Sequence, residues 1–263
     1  MVDPLLRGIR VALPLALLAV DCLSTAANGQ RERDEPPEAV RRVQASLEAL
    51  NGVTDYQCTL QKRERIRGKL SERESMTLRL RHEPFSVYLR YQLPKRLDGQ
   101  EVLYVDGRND GKMLAHPPGL KGKVVGTVAL KTTGRMAMEG NRYPITELGL
   151  KRMAESWLRE YERDSKLVPC GTRVLLAAKI NGRKCACAEA LRRKPHRDAP
   201  FQLTKLFIDD ELGLPVRYEA YEWPTEPEGK PLLAEEYSYL GLQIDNGYTD
   251  AEFDERNREY GFR

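Results

Sequence analysis

The sequence predicts an α+β fold: an antiparallel sheet of about eleven short strands covered by two helices. Three observations point there. Most of the chain alternates apolar and polar residues with a period of two. That period gives way to a helical one in two places. The links between alternating runs are too short for a helical crossover, so neighbouring strands must run antiparallel.

The first helical stretch is Glu38 to Leu50, where Val40, Val43, Leu47 and Leu50 share a face and Asn51-Gly52 ends it. From Val53 the period is two. Tyr56, Cys58 and Leu60 share one face of DYQCTLQKRERIRGKL, and Met76, Leu78 and Leu80 share one face of SMTLRLR. FSVYLRYQLP, EVLYVDG, KMLAHPP and KVVGTVAL extend the series to six strands. Within it, YVDGRNDGKMLAH has the composition of a calcium loop but not the frame. Counting from Asp106, the third position is Arg108 and the twelfth is Pro117, where an oxygen ligand and a bidentate glutamate belong. No phosphate-loop frame fits either. Asp106-Gly107 and Asp110-Gly111 instead favour a tight hairpin connection.

The second helical stretch is PITELGLKRMAESWLREYERD. It brings Ile145, Leu148, Met153, Trp157 and Tyr161 onto or near one stripe, with Pro144 suited to the first turn. Strands then resume. VLLAAKINGRKCACAEAL turns at Asn181-Gly182, and KLFIDDELGLPVRYEAYEWP turns between Asp210 and Leu214. LLAEEYSYLGLQID closes the series with Leu233, Glu235, Tyr237 and Tyr239 on one face.

Residues 1–27 read as an export signal: Arg7 and Arg10 precede an apolar run from Val11 to Val20, followed by small residues around Ala26 and Ala27. The run is shorter than the roughly 20 residues a membrane span needs. Asp21 before Cys22 argues against lipidation there. Residues 28–37 read as a disordered leader and residues 38–263 as a single domain. The expected location is the periplasm or cell envelope, in soluble form once the signal is removed. Cleavage takes away two basic and two acidic residues, so the net charge stays +4. With both signs interspersed, that balance gives no reason to expect nucleic acid.

An oxidising location favours a disulfide, and Cys170 with Cys185 or Cys187 is the candidate pairing, because two cysteines two residues apart on one strand strain the backbone if joined. Three scattered histidines (His82, His116 and His196) do not make a zinc site. No pattern asks for a metal or cofactor, and none singles out a catalytic residue. A hydrolase assembled from His116, Asp106 and Asp110 is the weakest of the functional alternatives. Arg142, ahead of the second helix, could hold an anion at its N-terminus or pair with an internal acid. The basic run Lys62, Arg63, Arg65, Arg67 and Lys69 is interrupted by Glu64 and has no interleaved aromatic for base stacking, so it reads as a solvated hairpin arm.

QKRERIRGKL, EPFSVYLRYQLPKRLDGQEVLYVDGRNDGKMLAH and GNRYPITELGL resemble a domain of unknown function found in exported planctomycete proteins, over residues 52–245. More distantly, the order helix, meander, helix, second sheet half is similar to the LolA/LolB-like lipoprotein carriers. The hairpin IDDELGLPVRYEAY and the closing segment FDERNREYGF share that similarity. The resemblance implies a strongly curved sheet, an incomplete barrel lidded by helices, whose concave apolar cavity takes acyl chains of a lipid or lipoprotein. It also implies an envelope-protein partner and peripheral contact with a membrane. The strand positions expected on the cavity wall are Met76, Leu78, Leu80, Val87, Leu89, Val102 and Tyr104, with Trp157 from the helix. The alternative is that the same alternation fills a core and the protein is a structural or interaction module of the envelope.

Overall fold

Twelve strands form one antiparallel sheet in the computed structural model, which describes residues 35–226 and 228–262 apart from the side chains of Lys121 and Lys123. The export signal, and the leader before Glu35, lie outside the described residues. No described helix is long and apolar enough to cross a membrane. The elements are α1 (Glu38–Leu50), β1 (Asp55–Ile66), β2 (Lys69–Leu70), β3 (Glu74–Arg81), β4 (Ser86–Leu93), β5 (Glu101–Val105) and β6 (Lys112–His116). There follow α2 (Gly119–Val125), β7 (Val128–Lys131), α3 (Arg135–Met138), α4 (Leu150–Leu167), β8 (Cys170–Ile180), β9 (Arg183–Arg192), β10 (Phe201–Asp209), β11 (Pro215–Glu222) and β12 (Leu232–Ile244).

The sheet order is β7-β6-β5-β4-β3-β1-β12-β11-β10-β9-β8, with β2 paired to β1. Two meanders are therefore joined where β1 pairs with β12, and β7 and β8 are left as the two edges. The sheet does not close. The turns follow the sequence: Asn181 and Gly182 take positive φ between β8 and β9, and β10 gives way to β11 across 210–214.

Two segments depart from the expectation. KVVGTVAL is not one strand: Val124 and Val125 end α2, and β7 starts only at Val128. The second long helix begins at Leu150, five residues late, because Ile145–Glu147 form a separate 3-10 turn and Gly149 takes φ 120°. A Cβ on Gly149 would sit 3.0 Å from both Leu80 Cδ1 and Tyr56 Oη. Glycine is needed there for its conformation and for its size. The close approach lets the sheet satisfy the helix start: Gly149 N–H donates to Tyr239 Oη at 3.2 Å and Leu150 N–H to Tyr56 Oη at 3.0 Å.

Helices α1 and α4 pack on each other and on β8–β11. Their inward residues Val43, Ala154 and Trp157 share a buried cluster with Ala188, Ala190, Leu206 and Ala220 of the sheet. The outer face of β4–β6 is covered instead by the closing segment. Phe253, Tyr260 and Phe262 pack on Tyr88, Leu103, Val105 and Leu114, and the Tyr88 and Tyr260 rings stack at 4.0 Å. Asp55 anchors the segment by accepting N–H bonds from Asn246 and Tyr248 at 2.7 and 3.0 Å.

The proposed disulfide is not made, since all four described cysteines are free. In the β8–β9 ladder Cys170 lies opposite Arg192 and Cys187 opposite Leu175. Five positions along a strand amount to about 16 Å, far beyond disulfide reach.

Candidate functional site

A cavity of about 1430 Å³ opens along the inner face of the sheet. It touches eight strands that are consecutive in the sheet, from β7 through β1 to β11. Eight strands laid flat would span roughly 34 Å, so contact with a single cavity means that the sheet wraps around it. The opposite wall is α4 and the segment 132–149. On α4 the split is helical: Met153, Ser156 and Glu160 line the cavity, while Leu150, Ala154 and Trp157 turn into the core away from it.

Polarity changes along the strands. At one level Leu60, Met76 and Tyr239 pair across β1, β3 and β12. One step along, the same register brings together Lys62, Glu74 and Tyr237, and the next step pairs Glu64 with Glu235. All of these line the cavity. The apolar end is completed by Leu89, Val102, Met113, Leu130 and Leu148, and the polar end by Tyr91, Asn141, Tyr143, Glu160 and Tyr218.

The polar end is densely bonded. Lys62 Nζ donates to Asn141 Oδ1 at 2.5 Å and lies 3.5 Å from both Glu64 and Glu74. Glu64 accepts from Tyr237 Oη and from the Arg142 backbone N–H. Glu235 accepts from Tyr143 Oη at 3.0 Å, and Glu160 from Tyr218 Oη at 3.0 Å. Burial pushes the Glu235 carboxyl up to about 8 against the opposing pull of Arg142, and burial also raises Glu160.

Of the expected wall residues, Met76, Leu89 and Val102 line the cavity. Leu78, Leu80, Val87, Tyr104 and Trp157 belong to the buried core and lie outside the lining. The lining is also not the uniformly apolar one expected. Arg142 is committed to internal partners: its Nε sits 2.7 Å from Glu235, an Nη donates to the Arg65 carbonyl, and its guanidinium stacks over Phe201. Helix α4 starts eight residues after Arg142, which removes the expected anion site. Lys62 is buried, so the basic run is not wholly a solvated arm: its odd-numbered arginines point away while Lys62 and Glu64 point in. The signal was present, because the inward register Tyr56, Cys58, Leu60 continues by twos to Lys62 and Glu64. His116 lines the cavity with Thr127 as its hydrogen-bond partner, whereas Asp106 accepts from Tyr104 and Asp110 pairs with Lys112. The three do not assemble. Among the described residues no cluster of His, Cys, Asp and Glu could hold a metal.

Comparison with curated protein sequences finds no match. Solved structures similar to the chain include the MucA/MucB complex of Pseudomonas aeruginosa, at 14% identity and a TM-score of 0.48, covering 83% of this chain and 61% of that one. Lipoprotein LppX of Mycobacterium tuberculosis is similar at 11% identity and TM-score 0.44, over 80% of this chain and 95% of that one. A LolA superfamily protein from Nitrosomonas europaea is similar at 12% identity and TM-score 0.34, over 83% and 98%. Residues 53–262 match the family model described as protein of unknown function (DUF1571), and the chain belongs to that family.

Proposed function

We propose that this chain is an exported, non-catalytic carrier that holds an amphipathic ligand, a lipid or the acyl part of a lipoprotein, in the cavity inside its sheet. One observation carries the reading: the space between sheet, α4 and segment 132–149 is about 1430 Å³ and has an apolar end. Pockets for drug-sized ligands are about 300–1,000 Å³, so this one suits a longer molecule. Each methylene buried there would contribute about 0.8 kcal/mol.

The test is titration of the purified chain with fluorescent acyl probes of increasing length, alongside native mass spectrometry of protein extracted gently from its own envelope. Saturable binding is expected, tightening about tenfold for every two methylenes added. Placing a tryptophan in the cavity wall, Ala115→Trp, weakens that binding while the melting transition holds. Absence of co-purifying lipid together with absence of saturable binding would falsify the carrier reading.

A further inference from the structure

We infer that the end of the sheet around the cavity mouth is a docking face for an anionic lipid surface. The inference goes beyond the carrier reading, since exposed side chains and charge define the face whatever the cavity holds.

Register sets three connections side by side there. Lys62 pairs with Glu74, Ser75 with Leu93, Arg90 with Glu101 and Glu101 with His116. The links from β1 to β3 (67–73), β4 to β5 (94–100) and β6 to β7 (117–127) therefore leave the sheet at one end. The cavity reaches the surface at this end, because Lys69 and Arg96 both line it and are exposed. The three links hold seven basic residues and two acidic ones, a larger imbalance than the +4 of the whole chain. Arg96 pairs with Glu72 and Arg73 with Glu236. Within the links, the exposed Arg67, Lys69 and Lys95, together with Lys121 and Lys123 of α2, are then left against Asp98. On the other side of β1 the balance reverses. The link from β11 to β12 carries Glu226 and Glu228 against Lys230, which bounds the basic face.

Helix α2 is built inside out. Gly122 is buried, and a Cβ there would fall 2.1 Å from the Pro117 carbonyl oxygen and 2.6 Å from His116 Nε2, so the smallest residue faces the protein. Leu120 and Val124, one turn apart on one face, are 76% and 79% exposed. Val125 and, on the neighbouring link, Leu93 are about half exposed as well. A helix resting on a globular domain turns its apolar stripe inward; this one turns it out. Apolar side chains held out among cations fit the boundary of an anionic bilayer, where the first enter the acyl region and the second stay with the phosphates. An acidic protein surface would answer the cations and leave Leu120 and Val124 without a partner.

The experiment is flotation of the purified chain with vesicles of phosphatidylcholine alone and of phosphatidylcholine with roughly one part in three phosphatidylglycerol. Binding to the anionic vesicles is expected to be at least about tenfold stronger and to fall as salt is raised. Leu120→Asp combined with Val124→Asp weakens it at least about tenfold, while the acyl-probe affinity in solution stays as it was. Val124→Trp adds an emission that shifts to the blue, relative to the wild-type chain, when anionic vesicles are added. Equal binding to both vesicles, binding that survives the double aspartate variant, or tighter binding to soluble polyglutamate than to vesicles overturns the inference. If the double variant does not fold, the tryptophan decides, and an unshifted emission overturns the inference. Failure of the acyl-probe titration alone removes the carrier reading and leaves this face standing; failure of flotation alone does the reverse.

Discussion

The inner face of the sheet is used in two ways. Over β8–β11 it is tiled with small residues, Ala188, Ala190 and Ala220, and helices α1 and α4 lie directly on it, bringing Trp157 to zero exposure. Over β3–β6 the same face carries larger side chains, Met76, Leu89, Val102 and Met113, which line the cavity. Small residues let a helix come close and large ones hold it off. The alanines of β9 and β11 mark where the helices lie closest on the sheet, while the buried core itself continues beneath the cavity through Leu78, Leu80, Val87 and Tyr104.

The sharpest way to break that comparison is to disturb an equivalent contact in each half. In the filled half Arg192 and Asp164 are both fully buried, with Arg192 Nη2 2.7 Å from Asp164 Oδ2 and further bonds to Thr204 and the Ala190 carbonyl. Asp164→Ala leaves the guanidinium buried without its counter-charge and is expected to cost about 3–5 kcal/mol in urea denaturation. Met113→Ala in the open half enlarges a space that already exists, and is expected to cost less than about 2 kcal/mol. Equal losses would show that the halves are packed alike.

A smaller effect tests the same idea by adding volume. Ala190→Leu has no room beneath the helices and is expected to destabilise by about 1–3 kcal/mol. Ala115→Leu, on the cavity wall, leaves the denaturation midpoint nearly unchanged and instead weakens binding of the acyl probes. A destabilised A115L would mean that this wall is packed against something that the cavity does not provide.

The filled half was legible in the sequence because its cues are local. Asn181-Gly182 and the segment 210–214 are turn chemistry, and Trp157 falls on a helical stripe. The open half was legible only in part. Leu78 and Val87 have the same burial pattern whether they meet a ligand or a neighbour, so alternation alone could not separate wall from core. The onset of α4 was misplaced because Ile145 and Leu148 have helical spacing, while the actual start is set by Tyr56 and Tyr239 reaching from distant strands to Gly149 and Leu150. The polar end was hidden by the habit of assigning charged positions to solvent. Lys62 and Glu64 continue the inward register of Leu60, and only the wrapping of the sheet reveals that this register ends in a buried place. The cysteine pairing failed for a similar reason, since separation along the β8–β9 ladder is set by register, which spacing in the sequence does not reveal.

The gentlest probe of the polar end is pH. Glu235 titrates near 8 in the folded chain, above its ordinary value of 4.5, with burial the largest cause. The folded state therefore binds a proton more readily than the unfolded one, and stability falls as pH rises from about 4.5 to about 8, then levels off. Asp55, whose burial would raise it but whose N–H bonds from Tyr248 and Asn246 hold it below its ordinary value on balance, acts only on the acid side of that window. The slope from one group is at most about 1.4 kcal/mol per pH unit. Glu160, raised in the same direction, adds to it. Glu235→Gln should flatten the decline between pH 5 and 8. Chemical denaturation at several pH values measures the effect. An unaltered slope in E235Q would place the buried charge elsewhere and return the two halves of the sheet to the same electrostatic footing.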